Sequence, residues 1–461
     1  MMAEPMIKIE MTRLLPSFIV MYFYLFSIAI GQITWIKTYG STEIEYSRGI
    51  IETNDLGLAF VGMSNGGHTG GSFYLVRTDA DGNEIYSKTF VNGMAMGLCQ
   101  APKGKIVLVG DHYTGVGYLG RVVCVDSNGN TKWSKSIPGL LSATAVIPTF
   151  DGGFAVSGKA FSGSNDLFGL IKLDSNGNDT WSKNFRGTAS YDILQLPDSD
   201  YVLVGTLKGD SAVIIRTDKN GDSIWTKKYD YNDFRAVKSS PDGAFLVAGN
   251  SPSKSGDAVV LKIDLNGNLI WEKKFGGPGL DIIYDLDVNS EGDICICGTT
   301  AGSFTFSYDM YFMELDSGGD SIYMHYFGGP LQDRNFGCVY TKDSGIVTVG
   351  EYYHTSKPDF DAIMIKYGGS IINSYSNEIH NIKPPVFPAV NENLIIFDNL
   401  KNRIQSAALY SIEGKHLGVF RNLSGNTLDC DISGLKSGIY LIAAEFDGIM
   451  NFFKVFIAAP E

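Results

Sequence analysis

The chain has 461 residues, of which 44% are hydrophobic and 12% aromatic, enough to fill the cores of about two or three domains. Its formal net charge of −13 predicts a field that repels phosphate backbones and anionic lipids, which excludes nucleic acid as an expected partner. The 54 glycines against 15 prolines favour tight turns between short strands, so we expect an all-β protein.

The N-terminus has the pattern of an export signal. Lys8 and Arg13 precede an apolar run at residues 14–30, and small residues end it before a predicted cleavage site at Gln32. Residues 1–31 are therefore predicted to be a signal peptide. A membrane anchor is the alternative, since the run is just long enough to span. With cleavage, we expect an extracellular or outer-surface protein with no membrane span.

A phrase of the form D-x-x-G-x-x-x-[WY] recurs about 48 residues apart, a period typical of propeller blades with four short strands each. The copies begin at Asp79, Asp126, Asp174, Asp218, Asp264 and Asp316. In the third copy, Asn176-Gly177 between two alternating runs predicts a hairpin with a type I′ turn. The aromatic residue, Trp181 in that copy, is predicted to be a wedge between neighbouring blades. Lys183 is expected to extend over it toward water.

A second marker is an apolar strand that ends in glycine. It occurs seven times, at Gly62, Gly110, Gly158, Gly205, Gly249, Gly298 and Gly350. In the third unit, alternation predicts strands over about residues 143–148, "FAVSG", "FGLIKLD" and "DTWSKNF".

The chain has seven glycine-ended strands but only six copies of the hairpin phrase. One unit therefore lacks its outer strand. The segment "ITWIKTYG" supplies an aromatic residue, Trp35, with no phrase before it. We therefore expect residues 33–38 to complete the seventh blade of a propeller spanning residues 32–370. Such closure removes the free edges of the sheet.

Six cysteines are dispersed along the chain, at Cys99, Cys124, Cys295, Cys297, Cys338 and Cys430. They stand where neighbouring repeats have Val, Ile or Leu, so we expect small buried apolar residues, with disulfides as the alternative in an exported protein. One C-x-C pair without a second half does not support a zinc site.

After residue 370 the pattern stops. Residues 371–390 are predicted to be a linker, and residues 391–461 contain alternating strands that predict a small, Ig-like β-sandwich. The segments that stand out are "FPAV", "LYSIEGK", "DISGLKSGIYLI" and "FKVFI", in this order near the C-terminus.

These segments resemble the type A C-terminal sorting domain of the type IX secretion system of the Bacteroidetes, although the entry motif lacks the family's Asn-Pro. The motif residues are Gly414, Lys415, Leu435, Gly438, Tyr440 and Lys454. The resemblance implies that the type IX machinery is a partner and that the domain directs export across the outer membrane and is then usually removed. A generic adhesive β-sandwich is the alternative.

The repeats themselves are similar to loosely defined repeats of secreted bacterial proteins, with the pattern W-x-K-x-[FY]-G-G followed by DGG and D-x-x-G-x-x-x-W. They also resemble the quinone-dehydrogenase propeller repeat at D-x-x-G-x-x-x-W. That likeness lacks the residues that would hold a quinone, so it implies a propeller and no cofactor.

Two groups of residues are candidates for a site. Carboxylates just before the third strand of five units would form a partial ring on one face, a candidate for calcium or a polar ligand, at Asp166, Asp210, Asp257, Asp309 and Asp361. The alternative is that they accept backbone N–H bonds at turns. A metal- or sugar-binding patch is the second candidate, at His68, Asp111, His112, Tyr113, Tyr352, Tyr353 and His354, with solvated histidines as the alternative.

No G-x-S-x-G, H-E-x-x-H or phosphate-binding glycine loop is present. We therefore expect a non-catalytic propeller, without a cofactor unless calcium, that binds a glycan, a protein or a surface partner. The alternative is an extracellular polysaccharide hydrolase or lyase with its site on the loop face. Unlike polar groups that converge at one end of the channel would favour the enzyme, and similar residues around the ring would favour binding.

Overall fold

The computed structural model describes residues 33–40, 43–64, 70–162, 165–208, 211–252, 256–276, 279–301, 308–328, 332–353, 359–368, 388–391, 394–398, 404–411, 416–419, 421–422, 427–431, 438–446 and 449–457. The chain divides into two compact units, Met1–Ile372 and Asn373–Glu461. The predicted signal peptide lies outside the described residues.

Nearly all regular elements of the described first unit are strands. The first nine are β1 (Ile33–Tyr39), β2 (Glu45–Glu52), β3 (Leu58–Ser64), β4 (Ser72–Thr78), β5 (Glu84–Ala101), β6 (Lys105–Tyr113), β7 (Tyr118–Val125), β8 (Thr131–Ile137) and β9 (Ser142–Pro148). They are followed by β10 (Phe154–Ser162), β11 (Asn165–Leu173), β12 (Asp179–Arg186), β13 (Ala189–Gln195), β14 (Tyr201–Leu207), β15 (Ser211–Thr217), β16 (Ser223–Tyr229), β17 (Asp233–Ser239) and β18 (Phe245–Asn250). The last are β19 (Ala258–Ile263), β20 (Leu269–Phe275), β21 (Asp281–Val288), β22 (Ile294–Ala301), β23 (Tyr308–Leu315), β24 (Ser321–Phe327), β25 (Arg334–Tyr340), β26 (Gly345–Tyr353) and β27 (Phe360–Gly368). A 3-10 turn, Pro102–Gly104, is the one helical element among the described residues.

Consecutive strands pair antiparallel in sheets of four: β9 to β12, β13 to β16, β17 to β20 and β21 to β24. The long strand β5 serves two sheets, because its first half pairs with β4 and its second half pairs with β6. The strands predicted for the third unit are confirmed as β9 to β12. The all-β expectation is confirmed for the described residues, and this repetition makes the first unit a propeller-like β fold.

The N-terminal strand completes the last sheet of the first unit. β1 pairs antiparallel with β27, with Ile36 opposite Ile365, in a sheet of order β1-β27-β26-β25. This pairing was predicted and is confirmed. The first strands of successive sheets also contact one another in a closed order, β2, β5, β9, β13, β17, β21, β25 and again β2, and we call them the inner ring.

The repeated phrase forms the hairpin between the third and fourth strands of a sheet, as predicted, but its turn is of another type. Gly177 donates its N–H to the carbonyl of Asp174 at 3.0 Å, and Asp174 donates to the carbonyl of Asn178 at 2.8 Å. Gly177 has a φ of +81°, whereas Asn176 lies outside the left-handed region. The loop therefore has three residues, a type I turn followed by a G1 bulge, and the predicted type I′ turn is wrong.

The first Asp of the phrase holds this turn in place. The Oδ1 atom of Asp174 accepts the N–H groups of Asn176 at 2.8 Å and Asn178 at 2.7 Å. A hydrogen bond from the Asn178 side chain, followed by these backbone bonds, lowers the pKa of Asp174. The same pair of backbone bonds is made by Asp79, Asp126, Asp218, Asp264 and Asp316. The carboxylate is thus required by the turn.

The aromatic residue of the phrase joins its sheet to the next one. A Cβ atom on Gly221 would lie 2.6 Å from Trp181, so the indole covers the neighbouring hairpin. Trp181 also packs edge-on to Tyr201, with ring centroids 6.0 Å apart, which confirms the predicted wedge. Lys183, predicted to extend toward water, places its Nζ atom 2.6 Å from Asp222 of that next hairpin. Equivalent contacts join Trp35 to Gly82, Tyr86 to Gly129, Trp133 to Gly177, Trp225 to Gly267 and Trp271 to Gly319.

A further pairing, not predicted from the sequence, fixes the turn between the first two strands, which lies at the same end of the sheet as the hairpin. The ammonium of Lys172, only 6% exposed, lies 2.9 Å from Asp151 in the turn between the first two strands. Burial opposes ionisation of Asp151, but hydrogen bonds from Thr149 and Lys172 lower its pKa to about 2. The same pairing joins Arg77 to Asp55, Arg216 to Asp200, Lys262 to Asp242 and Lys366 to Asp343.

The side chains of five of the six cysteines are described. Cys99, Cys124, Cys295, Cys297 and Cys338 are free and buried, as expected for small apolar residues. Burial raises the pKa of each of these thiols, so the reactive thiolate is disfavoured. Cys430 lies on a strand of the second unit, and its side chain is outside the described residues.

The second unit has two four-stranded antiparallel sheets. Its strands are β28 (Pro388–Asn391), β29 (Leu394–Asp398), β30 (Ile404–Ser411), β31 (His416–Val419), β32 (Arg421–Asn422), β33 (Thr427–Asp431), β34 (Gly438–Phe446) and β35 (Ile449–Ile457). The sheet orders are β28-β29-β33-β32 and β31-β30-β34-β35. β28 begins within the segment predicted to be a linker.

Candidate functional site

Each second strand ends in a glycine because the first strand of the same sheet passes very close to it. This close approach lies beside the candidate site. A Cβ atom on Gly205 would lie 2.1 Å from the carbonyl oxygen of Ala189 in the first strand of the same sheet. At all seven marker glycines this distance is between 1.8 and 2.2 Å, so any larger residue would push the first strand away. The seven glycines therefore permit one close approach, repeated in every sheet.

Beside each of these glycines the first strand bulges. Ser190 pairs with Gly205 and Asp192 pairs with Val204, which leaves Tyr191 as an extra residue between them. A bulge turns a side chain away from the regular alternation and is often found next to functional sites. The extra residues of the seven inner-ring strands are Arg48, Met96, Thr144, Tyr191, Arg235, Tyr284 and Phe336. The glycine is constant, whereas the residue beside it differs from sheet to sheet.

Six side chains make a continuous stack across five neighbouring sheets, which we call the bulge stack: Tyr191, Arg235, Tyr284, Phe336, Arg48 and Tyr46. The Cζ atom of Arg235 lies 4.5 Å from the ring centroid of Tyr191 and 5.7 Å from that of Tyr284. The rings of Tyr284 and Phe336 are 4.7 Å apart and tilted by 51°. Arg48 follows, with its Cζ atom 3.9 Å from the Phe336 ring and 5.9 Å from the Tyr46 ring. All six residues remain partly exposed.

Each guanidinium of the bulge stack is paired with a carboxylate. Arg235 donates from Nε to Asp233 at 2.9 Å, and its Nη2 atom lies 2.7 Å from the same oxygen. Asn250 donates to the other oxygen of Asp233 at 2.7 Å. Arg48 donates to Glu351, whose side chain is only 2% exposed. The charges within the stack are therefore locally balanced.

The protonation of these groups follows from burial and from the neighbouring charges. Burial raises the pKa of Glu351, opposed by the charge and hydrogen bond of Arg48. Burial likewise raises the pKa of Tyr284, with Arg235 acting against it, so this phenol keeps its proton at neutral pH. Burial works against the charge of Arg235, but Asp233 more than offsets this and raises its pKa. The stack thus offers neutral phenols and paired charges.

A second charged group lies on the same inner-ring strands. Asp192 accepts the N–H of Val237 at 2.9 Å, and Asp285 accepts that of Cys338 at 3.1 Å, so each carboxylate serves a free N–H of the next first strand. Asp287 does the same for Tyr340 at 2.9 Å.

Lys238 lies among these three carboxylates. Burial disfavours its charge, but Asp192, Asp285 and Asp287 together raise its pKa. Burial raises the pKa of Asp285 to about 7, opposed by Lys238. We call Asp192, Lys238, Asp285 and Asp287 the acidic cluster.

The two inner-ring strands outside the bulge stack, β5 and β9, carry Met96 and Thr144 at their bulges. A Cβ atom on Gly97 would lie 2.8 Å from the carbonyl oxygen of Thr144, so the first strands approach closely at this point. Thr144 donates its hydroxyl to the Ser190 carbonyl at 2.7 Å. The inner ring therefore carries aromatic or charged side chains at the bulges of five strands and neither kind at the bulges of the other two.

The predicted carboxylate ring has local contacts within each sheet. Asp257, Asp309 and Asp361 lie against the glycine that follows the outer strand of their own sheet, where a Cβ atom would be 2.6, 2.4 and 2.8 Å from the respective carboxylate oxygen. Asp166 lies 3.2 Å from Lys159 instead. Asp210 is outside the described residues.

No set of three or more His, Cys, Asp or Glu side chains in the described part of the chain is arranged to hold a metal ion. The carboxylate ring as a calcium or ligand site, and its alternative of bonds to backbone N–H groups at turns, both stay predictions.

The predicted histidine and tyrosine patch is described only in part, because His68 and His354 lie outside the described residues. Asp111 and His112 stand in strand β6. The Nδ1 atom of His112 lies 2.7 Å from the carbonyl of Asn92, and Met94 donates to Asp111 at 3.3 Å. Tyr113 packs on Tyr118, with ring centroids 5.3 Å apart.

The remaining two tyrosines of this patch are in the last sheet. Tyr352 packs on Phe327 with ring centroids 6.0 Å apart. Tyr353 packs on Phe360 at 4.9 Å, and Phe360 packs on Tyr46 at 5.8 Å. Tyr353 is thus the predicted site residue that joins the bulge stack, at its outer end.

The sorting-motif residues are also described in part. Gly438 and Tyr440 lie on β34 and Lys454 on the adjacent β35, where it is opposite Leu441. Gly414, Lys415 and Leu435 lie outside the described residues. No helix in the described part of the chain has the length and apolar character needed to cross a membrane.

The bulge stack itself was missed by the sequence analysis. A signal was present: alignment of the seven units on the strand-ending glycine places one unlike residue at the same position of each first strand. The repeated residues form the framework, and the residues at the bulges are departures from the repeat.

A scan against protein-family models gives no match, and a search of curated proteins gives none either. Among solved structures, the chain is similar to Sqt1 from Chaetomium thermophilum, with 11% sequence identity and a TM-score of 0.46. The match covers 74% of this chain and 99% of that one. At this level the likeness carries no argument about fold or function.

Proposed function

We propose that the first unit is a seven-bladed propeller that binds an extracellular ligand, without catalysis, at the bulge stack. Support for the blade count comes from the closed contact order of the seven first strands and from β1, which supplies the outer strand of the last sheet. The observation that carries the function is the bulge stack. In a framework where most positions repeat, five sheets bring unlike aromatic and charged groups into one partly exposed surface.

Thermal unfolding of the full chain tests this proposal. A panel of soluble polysaccharides is added with calcium, with zinc or with EDTA. A ligand at a hundred times its dissociation constant adds about 2.7 kcal/mol to the free energy of unfolding and raises the melting temperature. We expect the shift to disappear in Tyr284→Ala and to persist in Phe150→Ala, an exposed aromatic residue outside the stack. A shift that Tyr284→Ala leaves intact would place the ligand elsewhere.

For the second unit we propose an Ig-like sandwich that sorts the protein through the type IX secretion system, behind the signal peptide at residues 1–31. Support comes from the four resembling segments and from the pairing of the strands that carry Gly438, Tyr440 and Lys454. A chain that lacks residues 371–461 should remain in the periplasm of a host that exports the full chain. Its appearance in the medium would contradict this role.

A polysaccharide hydrolase or lyase is the second candidate. In its favour, unlike polar groups do converge, and burial raises the pKa of Glu351, as an acid catalyst requires. Against it, Glu351 is held by Arg48, and the tyrosines keep their protons. Release of reducing ends from a polysaccharide, lost in Glu351→Gln, would establish the enzyme and overturn the non-catalytic proposal.

A further inference from the structure

The charge balance of the bulge stack restricts the kind of ligand that it can hold. Arg235 is bound by Asp233 and Arg48 is bound by Glu351, so neither guanidinium is available as a lone cation. An anionic ligand would have to displace a carboxylate or lie beside it. An uncharged ligand can bind without displacing a carboxylate and without being repelled by it.

The hydrogen-bonding groups of the stack favour a ligand rich in hydroxyl groups. A guanidinium has five N–H donors, of which the carboxylate takes only some, and a tyrosine hydroxyl both donates and accepts. Asp233 and Glu351 supply acceptor oxygens beside them. A hydroxyl group can donate to the carboxylates and accept from the guanidiniums, and a sugar presents several such groups.

The rings supply the apolar part of the contact. Tyr191, Tyr284 and Phe336 are partly exposed, and aromatic side chains bury much area while losing little conformational freedom. A pyranose ring has an apolar C–H face and hydroxyl groups at its rim, which matches this combination.

We infer that the ligand is an uncharged polysaccharide, of which one pyranose unit stacks on Tyr284 while hydroxyl groups along the polysaccharide bind Arg235, Asp233 and Arg48. This inference rests on the proposed function and names the ligand class of the same site.

Affinity electrophoresis of the full chain tests it with two probes that share a backbone, hydroxyethylcellulose and carboxymethylcellulose. A second pair adds galactomannan and polygalacturonate. The expected result is retardation in at least one uncharged gel and none in its charged counterpart. Tyr284→Ala should weaken this binding about tenfold, because a stacking partner is lost, whereas Tyr284→Phe keeps the ring and should keep most of the affinity.

Phe150→Ala is the matched control, an exposed aromatic residue that belongs to no candidate site, and it should bind as the unmodified protein does. The melting temperature of each variant is measured, and Arg235→Lys is a second variant in case Tyr284→Ala does not fold; it keeps the charge but loses the planar donor fork and should also weaken binding.

Three outcomes are distinguishable. If only the anionic probes bind, and the stack variants weaken this binding, the inferred ligand class is wrong but the proposed function stands. Binding of both kinds of probe that no stack variant changes overturns both. Failure to bind any uncharged probe overturns the inference, and a stack-dependent protein ligand would then sustain the proposed function.

Discussion

Lys238 and the three carboxylates around it show how partly exposed charges can be part of a repeated framework. Each carboxylate accepts an N–H of the next first strand, and these N–H groups lie on the inner edge of a sheet, where no further strand pairs with them. A buried unpaired N–H is costly, so the carboxylates stabilise the contact between sheets. One ammonium among three carboxylates leaves an excess of negative charge, which a proton on Asp285 would relieve.

The raised pKa of Asp285 predicts how stability changes with pH. The folded protein holds this proton up to about pH 7, whereas an unfolded Asp has a pKa of about 3.9. The folded state therefore binds more protons between these values, and the free energy of unfolding falls as pH rises through this window. Lys238, with a raised pKa, contributes stability that is lost only at alkaline pH. Urea unfolding between about pH 4 and 8 measures this effect. The free energy of unfolding should fall less steeply with rising pH in Asp285→Asn than in the unmodified protein.

Asp174→Asn is the control for this prediction, because the pKa of Asp174 is lowered. That carboxylate contributes stability above its unfolded pKa, so its variant should lose stability at neutral pH and approach the unmodified protein as pH falls. Equal slopes for the unmodified chain and Asp285→Asn would contradict the assignment of Asp285.

The hairpin and the outer strand of the neighbouring sheet form the joint that is repeated most often in the first unit. The glycine of the hairpin has positive φ and no side chain, so the indole or phenol ring of the preceding sheet can lie against its backbone. The lysine two residues after that aromatic residue then hydrogen-bonds a polar side chain of the same hairpin. Lys183 binds Asp222 in this way, and Lys227 binds Asn268. The phrase of the sequence therefore encodes both halves of one contact, which each sheet makes with the next.

Trp181→Ala is expected to destabilise the protein by about 2 kcal/mol, somewhat less than a fully buried aromatic residue because the indole is partly exposed. Chemical denaturation measures this loss. Ile224→Ala is the control: Ile224 is 52% exposed on the adjacent outer strand and should change stability by less than about 0.5 kcal/mol. A loss below about 1 kcal/mol in Trp181→Ala would show that the joint is not where the sheets are held together.

Closure of the first unit depends on a strand that is distant in sequence from its partner. β1 pairs with β27, and the Thr34 hydroxyl donates to the carbonyl of Gly368 at 2.6 Å. On its other side, Trp35 covers Gly82, and the Tyr39 hydroxyl donates to the Gly82 carbonyl at 2.6 Å. β1 therefore binds the last sheet to the first, and without it β27 has a free edge.

Deletion of residues 33–39 should abolish cooperative unfolding of the first unit, because it removes the outer strand of one sheet and its contact with the next. Calorimetry of the full chain and the deleted chain measures this effect. Lys37→Ala is the control, since its exposed bond to Asn83 at 3.1 Å is worth less than about 1 kcal/mol. An unchanged transition after the deletion would disprove the role of β1 in closure.

Much of the framework could be predicted because it is repeated. Period-two alternation, the strand-ending glycines and the D-x-x-G phrase gave the strands of the third unit and the pairing of the N-terminal strand. The turn type was wrong because Asn-Gly occurs in several hairpins, and the choice here is made by Asp174, whose bonds to two N–H groups favour a three-residue loop. The carboxylates near the third strands could be found because they repeat, and Asp166, Asp309 and Asp361 are each the second residue of such a strand.

Local sequence fixes the strands, the hairpins and the need for glycine, because each depends on residues a few positions apart. The bulge stack depends on residues from β2, β13, β17, β21 and β25, which are far apart in the chain and become neighbours only when the inner ring forms. The amino-acid sequence thus specifies one close approach of backbone per sheet, at its glycine. The packing of one sheet on the next decides which side chains then meet, and it places Arg235 between two tyrosines. The sequence alone does not show this, because a contact between sheets has no counterpart in the spacing along a single strand.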